Sequence, residues 1–224
     1  DEEICFGSSV TLNATGQGTI TWHDDVEDGV EFSPHTTTNY IVTATNGEGC
    51  TNSDTMKVIV NDLPEISAGD EQAICIGSAV TLNAIGQGTI IWQDDVEDGV
   101  AFSPQTTAEY IVTATSDEGC DNSDTVTIKV YDLPEISAGD DQGICIGSSV
   151  TLNAAGDGTI AWQGEVEDGV AFSPETTADY IVTAISIQGC SDADTVTVDV
   201  YNLPEISAGN DQEVCEGSSV TLNA

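Results

Sequence analysis

Residues Thr107–Val130 read TAEYIVTATSDEGCDNSDTVTIKV. Two runs rich in β-branched residues flank a polar centre closed by Gly119, which predicts a strand, a turn and a returning strand. In the second run Val126, Ile128 and Val130 fall on one face. That period of two belongs to a sheet with one buried side. No helical period competes with it.

The stretch is one of three. NYIVTAT, EYIVTAT and DYIVTAI start at Asn39, Glu109 and Asp179, 70 residues apart. Trp22, Trp92 and Trp162 keep the same spacing, as do DLPEISAGD at Asp62 and Asp132 and NLPEISAGN at Asn202. A fixed period of this kind marks a tandem array of small domains. The predicted organisation is a repeat at 1–62 without its first strand, full repeats at 63–132 and 133–202, and the start of a further repeat at 203–224. Both ends of the sequence fall inside a repeat. The expectation is therefore a window of a longer array, with targeting and anchoring segments outside it; no signal peptide is visible.

Charge narrows the function. Two Lys+Arg stand against 40 Asp+Glu, a formal net charge of −38. Such a surface repels phosphates, so nucleic acid is excluded as a partner. Anionic membrane surfaces are excluded likewise unless cations bridge, and no apolar run is long enough to insert. The chain is nevertheless no acidic tail, because its 39% hydrophobic residues sit in strand-like runs. Screening by high salt or bound divalent cations would make such acidity tolerable.

The other strands of the second repeat follow. PEIS (Pro64–Ser67) and QAICI (Gln72–Ile76) read as a broken first strand. SAVTLNA (Ser78–Ala84) points Val80, Leu82 and Ala84 inward, and GTIIWQ (Gly88–Gln93) carries the tryptophan. VEDGVAF (Val96–Phe102) contains Asp98-Gly99, a hairpin signal before the next short strand. About seven short strands per repeat make a β-sandwich. The predicted fold is all-β: a tandem array of ~70-residue immunoglobulin-like β-sandwich domains forming an extended rod. Trp22, Trp92 and Trp162 are expected between the sheets, with Tyr40, Tyr110 and Tyr180 at a tyrosine corner. Phe32, Phe102 and Phe172 read as core, and Tyr131 and Tyr201 as packing between domains.

The pattern CIGSAVTLNA…W…FSP…TTAEYIVTAT…GC…SDTVTIKV resembles the immunoglobulin-like or polycystic-kidney-disease-like repeats of Bacteroidota surface proteins. These include type IX-secreted adhesins of the gliding-motility type. The resemblance covers every repeat and implies an extracellular location at a bacterial cell surface. It is specific for the repeat type and weak for function, since such modules serve many proteins as spacers.

The seven cysteines are Cys5, Cys50, Cys75, Cys120, Cys145, Cys190 and Cys215, two per repeat, with no CxxC. That usage points to disulfides in an oxidising compartment. In an immunoglobulin-like sandwich Cys75 lies before the second strand, and Cys120 lies in a loop at the opposite end. A seven-residue strand spans ~23 Å, whereas bridged Cα atoms lie within about 7 Å. The geometry slightly favours staples between neighbours, Cys5–Cys120 and Cys75–Cys190. Cys50, Cys145 and Cys215 would then pair beyond the window. Pairing within repeats (Cys5–Cys50, Cys75–Cys120, Cys145–Cys190) is the alternative.

The same head-to-tail picture gathers Asp94, Asp95, Glu97, Asp98, Asp132, Glu135, Asp192 and Asp194 near one junction. Hard carboxylate oxygens suit calcium, the candidate cofactor, although no complete calcium loop is present. A solvated acidic surface adapted to salt is the alternative. Asp-Thr-apolar tripeptides make Thr55, Thr125 and Thr195 candidate O-glycosylation sites by resemblance to the Bacteroidota acceptor; a turn-capping Asp before an edge residue is the plain alternative.

No catalytic residue is expected. His23 and His35 are replaced by Gln93 and Gln105 in the second repeat. Asp94 and Asp95, adjacent in an expected strand, would face opposite sides and could not act as a glycosidase pair. The expected function is a structural stalk or fibre segment of a long extracellular adhesin. Its partners are neighbouring repeats and, in a filament, further copies. The alternative is a carbohydrate-binding array that takes surface glycans by avidity.

Overall fold

The computed structural model describes residues 1–222, so the last two residues of the expected fourth repeat lie outside it. The described residues form strands and no helix. The first repeat contains β1 (Glu2–Cys5), β2 (Val10–Thr11), β3 (Thr19–Trp22), β4 (Glu31–Phe32), β5 (Thr38–Thr45) and β6 (Thr51–Asn61). The second contains β7 (Ile66–Ser67), β8 (Gln72–Cys75), β9 (Val80–Thr81), β10 (Ile85–Gly86), β11 (Thr89–Trp92), β12 (Ala101–Phe102), β13 (Ala108–Thr115) and β14 (Asp121–Tyr131). The third repeats this set as β15 (Ile136–Ser137), β16 (Gln142–Cys145), β17 (Val150–Thr151), β18 (Ala155–Gly156), β19 (Thr159–Trp162), β20 (Ala171–Phe172), β21 (Ala178–Ile185) and β22 (Ser191–Tyr201). The chain divides into two compact units, Asp1–Val130 and Tyr131–Ala224, so the first two repeats share a unit.

Each full repeat is an immunoglobulin-like β-sandwich. In the second, one layer has the order β11-β13-β14-β8. The other is built from β7 paired with β10 and β12 paired with β9, both antiparallel. The quoted stretch forms the β13–β14 hairpin, with Tyr110 opposite Val126 and Thr115 opposite Asp121. In the first and third repeats the last strand also takes a parallel edge partner: β1 on β6 and β16 on β22.

Alternation along the strands builds a separate core in each repeat. Val80 and Leu82 meet Trp92, Val112, Val126 and Ile128 in one buried cluster, with Ala84, Phe102, Tyr110 and Val130 packed against it. The third repeat matches, with Leu152, Val182, Val196 and Val198 buried and Trp162, Tyr180 and Phe172 on the cluster margin. Trp22 and Tyr40 are buried in the first. Each tyrosine ring stands edge-on to the phenylalanine of its repeat, at 5.1–5.2 Å between centroids. Such pairing adds to simple burial. Gly88 has φ +82°, and a Cβ there would drive into the Thr115 carbonyl. Only glycine lets β11 start so close to the end of β13.

Two expectations need correction. The short strand after Asp98-Gly99 makes no hairpin with β11; β12 pairs with β9 in the other layer. The turn thus carries the chain from one sheet to the other. Tyr201 does not serve a linker: it ends β22, opposite Cys145. A Cβ on Gly143 would sit 2.9 Å from its ring, so the ring lies over β16 of its own repeat.

Candidate functional site

The acidic turn after the tryptophan strand comes first. Asp94 and Asp95 lie beyond β11 with φ of 60° and 57°, in the left-handed region where Asp is tolerated because its short side chain bonds locally. They belong to a turn and not to a strand, which corrects the expectation of opposite faces. Asp98 has a defined task. Its Oδ1 accepts the Trp92 indole N–H at 2.9 Å and the Ala84 amide at 2.7 Å. Asp28 and Asp168 do the same for Trp22 with Ala14 and for Trp162 with Ala154. The buried tryptophan thereby satisfies its one polar atom. In return the donors hold the Asp28 carboxyl below the usual range, the Trp22 bond contributing most. For Asp168 the Ala154 amide leads and Trp162 follows. Burial pushes the Tyr110 hydroxyl upward, and the nearby Asp94 charge adds to that.

A second acid, at the start of each Asp-Thr-apolar tripeptide, has a structural task of its own. Asp124 Oδ2 accepts the Ala68 amide and its Oδ1 the Thr125 amide, each at 2.8 Å. Asp194 repeats this with Ala138 and Thr195. Each carboxylate ties the first strand of a repeat to the last, across 56 residues of sequence. Both are held below their ordinary pKa, first by the Ala68 or Ala138 amide and then by that of the following threonine.

These bonds occupy several of the carboxylate oxygens offered to calcium. Asp98 already accepts two donors, and both oxygens of Asp194 face backbone amides. Asp192 caps the Ala193 amide. Among the described residues no group of three or more His, Cys, Asp or Glu is placed to hold a metal ion.

The cysteines form the distinctive site. Cys5 and Cys120 are joined, with Cα atoms 5.5 Å apart and 115 residues between them in sequence. The bond links the end of β1 in the first repeat to the β13–β14 turn of the second. Strand length explains why Cys5 does not take Cys50. Cys5 pairs in register with Asn61, while Cys50 precedes Thr51 at the other end of β6. Eleven residues at about 3.3 Å each separate them by roughly 35 Å. Cys75 and Cys190 are also disulfide-bonded. Cys50, Cys145 and Cys215 are free and exposed. The pairings within repeats expected as the alternative are therefore not formed.

Thr55, Thr125 and Thr195 are exposed in the middle of β6, β14 and β22, accessible to modification. His23 Nε2 lies 3.0 Å from Thr43 Oγ1, and the His35 ring packs on Phe6. Both are surface contacts.

No protein-family model matches the chain, and no curated protein matches it. Among solved structures it is similar to three immunoglobulin domains of titin, at 14% identity and TM-score 0.39 over 89% of this chain and 95% of that one. It is also similar to extracellular domains 3–5 of Drosophila OTK (14%, TM-score 0.33, 90% and 95%) and to the insect immune protein hemolin (12%, TM-score 0.36, 89% and 74%). At such scores the likeness carries nothing about function.

Proposed function

We propose that the chain is a structural stalk or fibre segment of a long extracellular bacterial adhesin, built to carry tension. The observation that carries this reading is the Cys5–Cys120 bond between successive repeats. A disulfide inside a domain stabilises that domain. One between neighbours gives an array a covalent route around the folded sandwiches. Disulfides persist in oxidising compartments, which supports the extracellular assignment; the bacterial surface rests on the repeat's resemblance to Bacteroidota modules. Near-identical repeats suit a spacer, which needs length more than individual sites. The charge of −38 keeps neighbouring fibres apart and soluble. Thr55, Thr125 and Thr195 are proposed to carry glycan, and an intact mass equal to the sequence mass would remove that assignment. The glycan-binding alternative wants aromatic platforms, but Trp22 and Trp92 are buried and Trp162 packs on its core cluster.

The experiment is single-molecule pulling between the two ends. The Cys5–Cys120 bond hides a 115-residue loop from the force, so reduction lengthens the fully extended chain by at least roughly 400 Å. Equal extension with and without reductant would contradict the tension-bearing role.

A further inference from the structure

The bond between the first and second repeats meets solvent on one side only. Cys120 is 0% exposed, whereas Cys5 is half-buried. The Cys120 side is closed by its own turn. There the Ser116 amide donates to the Cys120 carbonyl at 2.9 Å and the Gly119 amide to the Ser116 carbonyl at 3.0 Å. The Cys120 amide donates back to Ser116 Oγ at 3.2 Å. The other two bonded cysteines show the same inequality. Cys190, in the turn position of Cys120, is 1% exposed. Cys75, in the strand position of Cys5, is half-buried. Cys75 is preceded by β7, so this exposure belongs to the fold of a whole repeat.

The exposed side is acidic. Cys5 lies opposite Asn61 in register, and the Phe6 amide donates to the Asn61 carbonyl at 2.8 Å. A cleft begins at Asn61. It is lined further by Asp62 of the linker and by Ser116, Asp117 and Glu118 of the Cys120 turn. The three carboxylates are exposed, as are Glu2 and Glu3 just before Cys5. Neither lysine lines the cleft. Lys57 lies opposite Asn39, four residues back from Asn61 along β6, or about 13 Å. Lys129 pairs with Glu71 at 3.0 Å.

We propose that the Cys5–Cys120 bond is a one-sided, charge-guarded redox lock: small thiols open it only at Cys5, and thiols that carry a carboxylate are turned away. A thiolate must reach the sulfur it attacks, and of the two cysteines only Cys5 meets solvent. The incoming sulfur bonds to Cys5 Sγ, the bond to Cys120 Sγ breaks, and Cys120 leaves as a thiolate that takes a proton from water. A second thiolate then attacks the outer sulfur of the mixed disulfide. It leaves as a small-molecule disulfide and frees the Cys5 thiol. Two small thiols have supplied two electrons and two protons. A thiol with a carboxylate attacks as a dianion, which the cleft acids repel more than a plain thiolate. One with an ammonium group attacks as a zwitterion and escapes that repulsion. Such a field acts mainly on encounter rates. The lock rests on the bond and its surroundings alone, so it stands or falls apart from the stalk reading and its pulling experiment.

The test compares thioglycolate, mercaptoethanol and cysteamine, whose thiolates are a dianion, a monoanion and a zwitterion. The full chain, with its free thiols alkylated beforehand, is treated at low salt and about pH 8, where small thiols are partly ionised. Each rate of Cys5–Cys120 opening is divided by the rate of the same thiol on a small uncharged disulfide, which removes differences in thiol reactivity. Cysteamine should be fastest and thioglycolate slowest, with a spread of about tenfold or more. The spread should nearly vanish at about 1 M salt, where the screening length is ~3 Å. Replacing the cleft acids together (Asp62→Asn, Asp117→Asn and Glu118→Gln) should narrow it at low salt. Early in the mercaptoethanol reaction, an acid quench and peptide mapping should find the adduct on Cys5 and the new thiol on Cys120. Equal normalised rates at low salt would overturn the proposal, and so would an adduct on Cys120 or a spread unchanged in the triple variant.

Discussion

The first and second repeats are nearly the same sequence in two conditions. The second has the edge strand β7 and a bridged cysteine at its β13–β14 turn. The first has neither, and its Cys50 thiol is exposed. The contrast reads out directly in burial. Val112 and Ala114 are fully buried, whereas Val42 and Ala44 are not. In the second repeat β7 packs on the main hairpin, and Cys120 joins that hairpin to the first repeat.

Reduction of Cys5–Cys120 should bring the largest change. Chain-entropy reasoning for a loop of 115 residues gives about 4–5 kcal/mol. Thermal melting with and without reductant measures it; no shift would mean that the bond leaves folding stability untouched. Next comes the cradle of the edge strand. Gly86→Ala should destabilise the second repeat by about 1–3 kcal/mol through overpacking. Gly16→Ala should be neutral or slightly stabilising, since the unfolded first repeat loses freedom and the folded one has space. Equal costs in denaturant melts would break the comparison. Smaller again is Asp124→Ala, which should lower the melting of the second repeat by a few degrees. Asp54→Ala should leave the first nearly unchanged, because only Asp124 holds an edge strand.

The smallest effect is a pH dependence. Asp28, Asp124, Asp168 and Asp194 all have folded pKa values below the ordinary carboxylate value. Between the two values the unfolded chain binds more protons, so stability rises with pH there. The contribution is complete above about pH 4–5 and is lost as pH falls through the depressed folded values. Asp168→Asn, which keeps the acceptor oxygen but cannot titrate, should flatten the acid limb of a pH–melting curve for the third repeat.

Much of the sandwich was legible because strands announce themselves locally. Leu82, Val112 and Ile128 alternate with polar neighbours, and Tyr110 and Trp92 recur at fixed places in the period. The roles of the acids were not legible. Asp98 beside Gly99 has the signature of a hairpin turn, and only the folded chain brings its carboxylate to Trp92 and Ala84. Asp124 reaches Ala68 across 56 residues, a partner that no short-range pattern reveals. The crossing of β12 to the other layer was hidden for the same reason: a two-residue strand does not state which neighbour it will pair with. The cysteines were partly legible, because strand length alone makes a bond within one repeat difficult.

The central claim, a covalent bond between neighbouring repeats, has a direct test in the chain's own composition. Its two Lys+Arg residues are Lys57 and Lys129. With free thiols blocked and the chain denatured, trypsin therefore yields residues 1–57, 58–129 and 130–224. Cys5 and Cys50 share the first fragment, and Cys75 and Cys120 the second. The account predicts that 1–57 and 58–129 migrate together without reductant and separate once it is added. If the two fragments separate without reductant, no disulfide joins the first repeat to the second and the account is wrong.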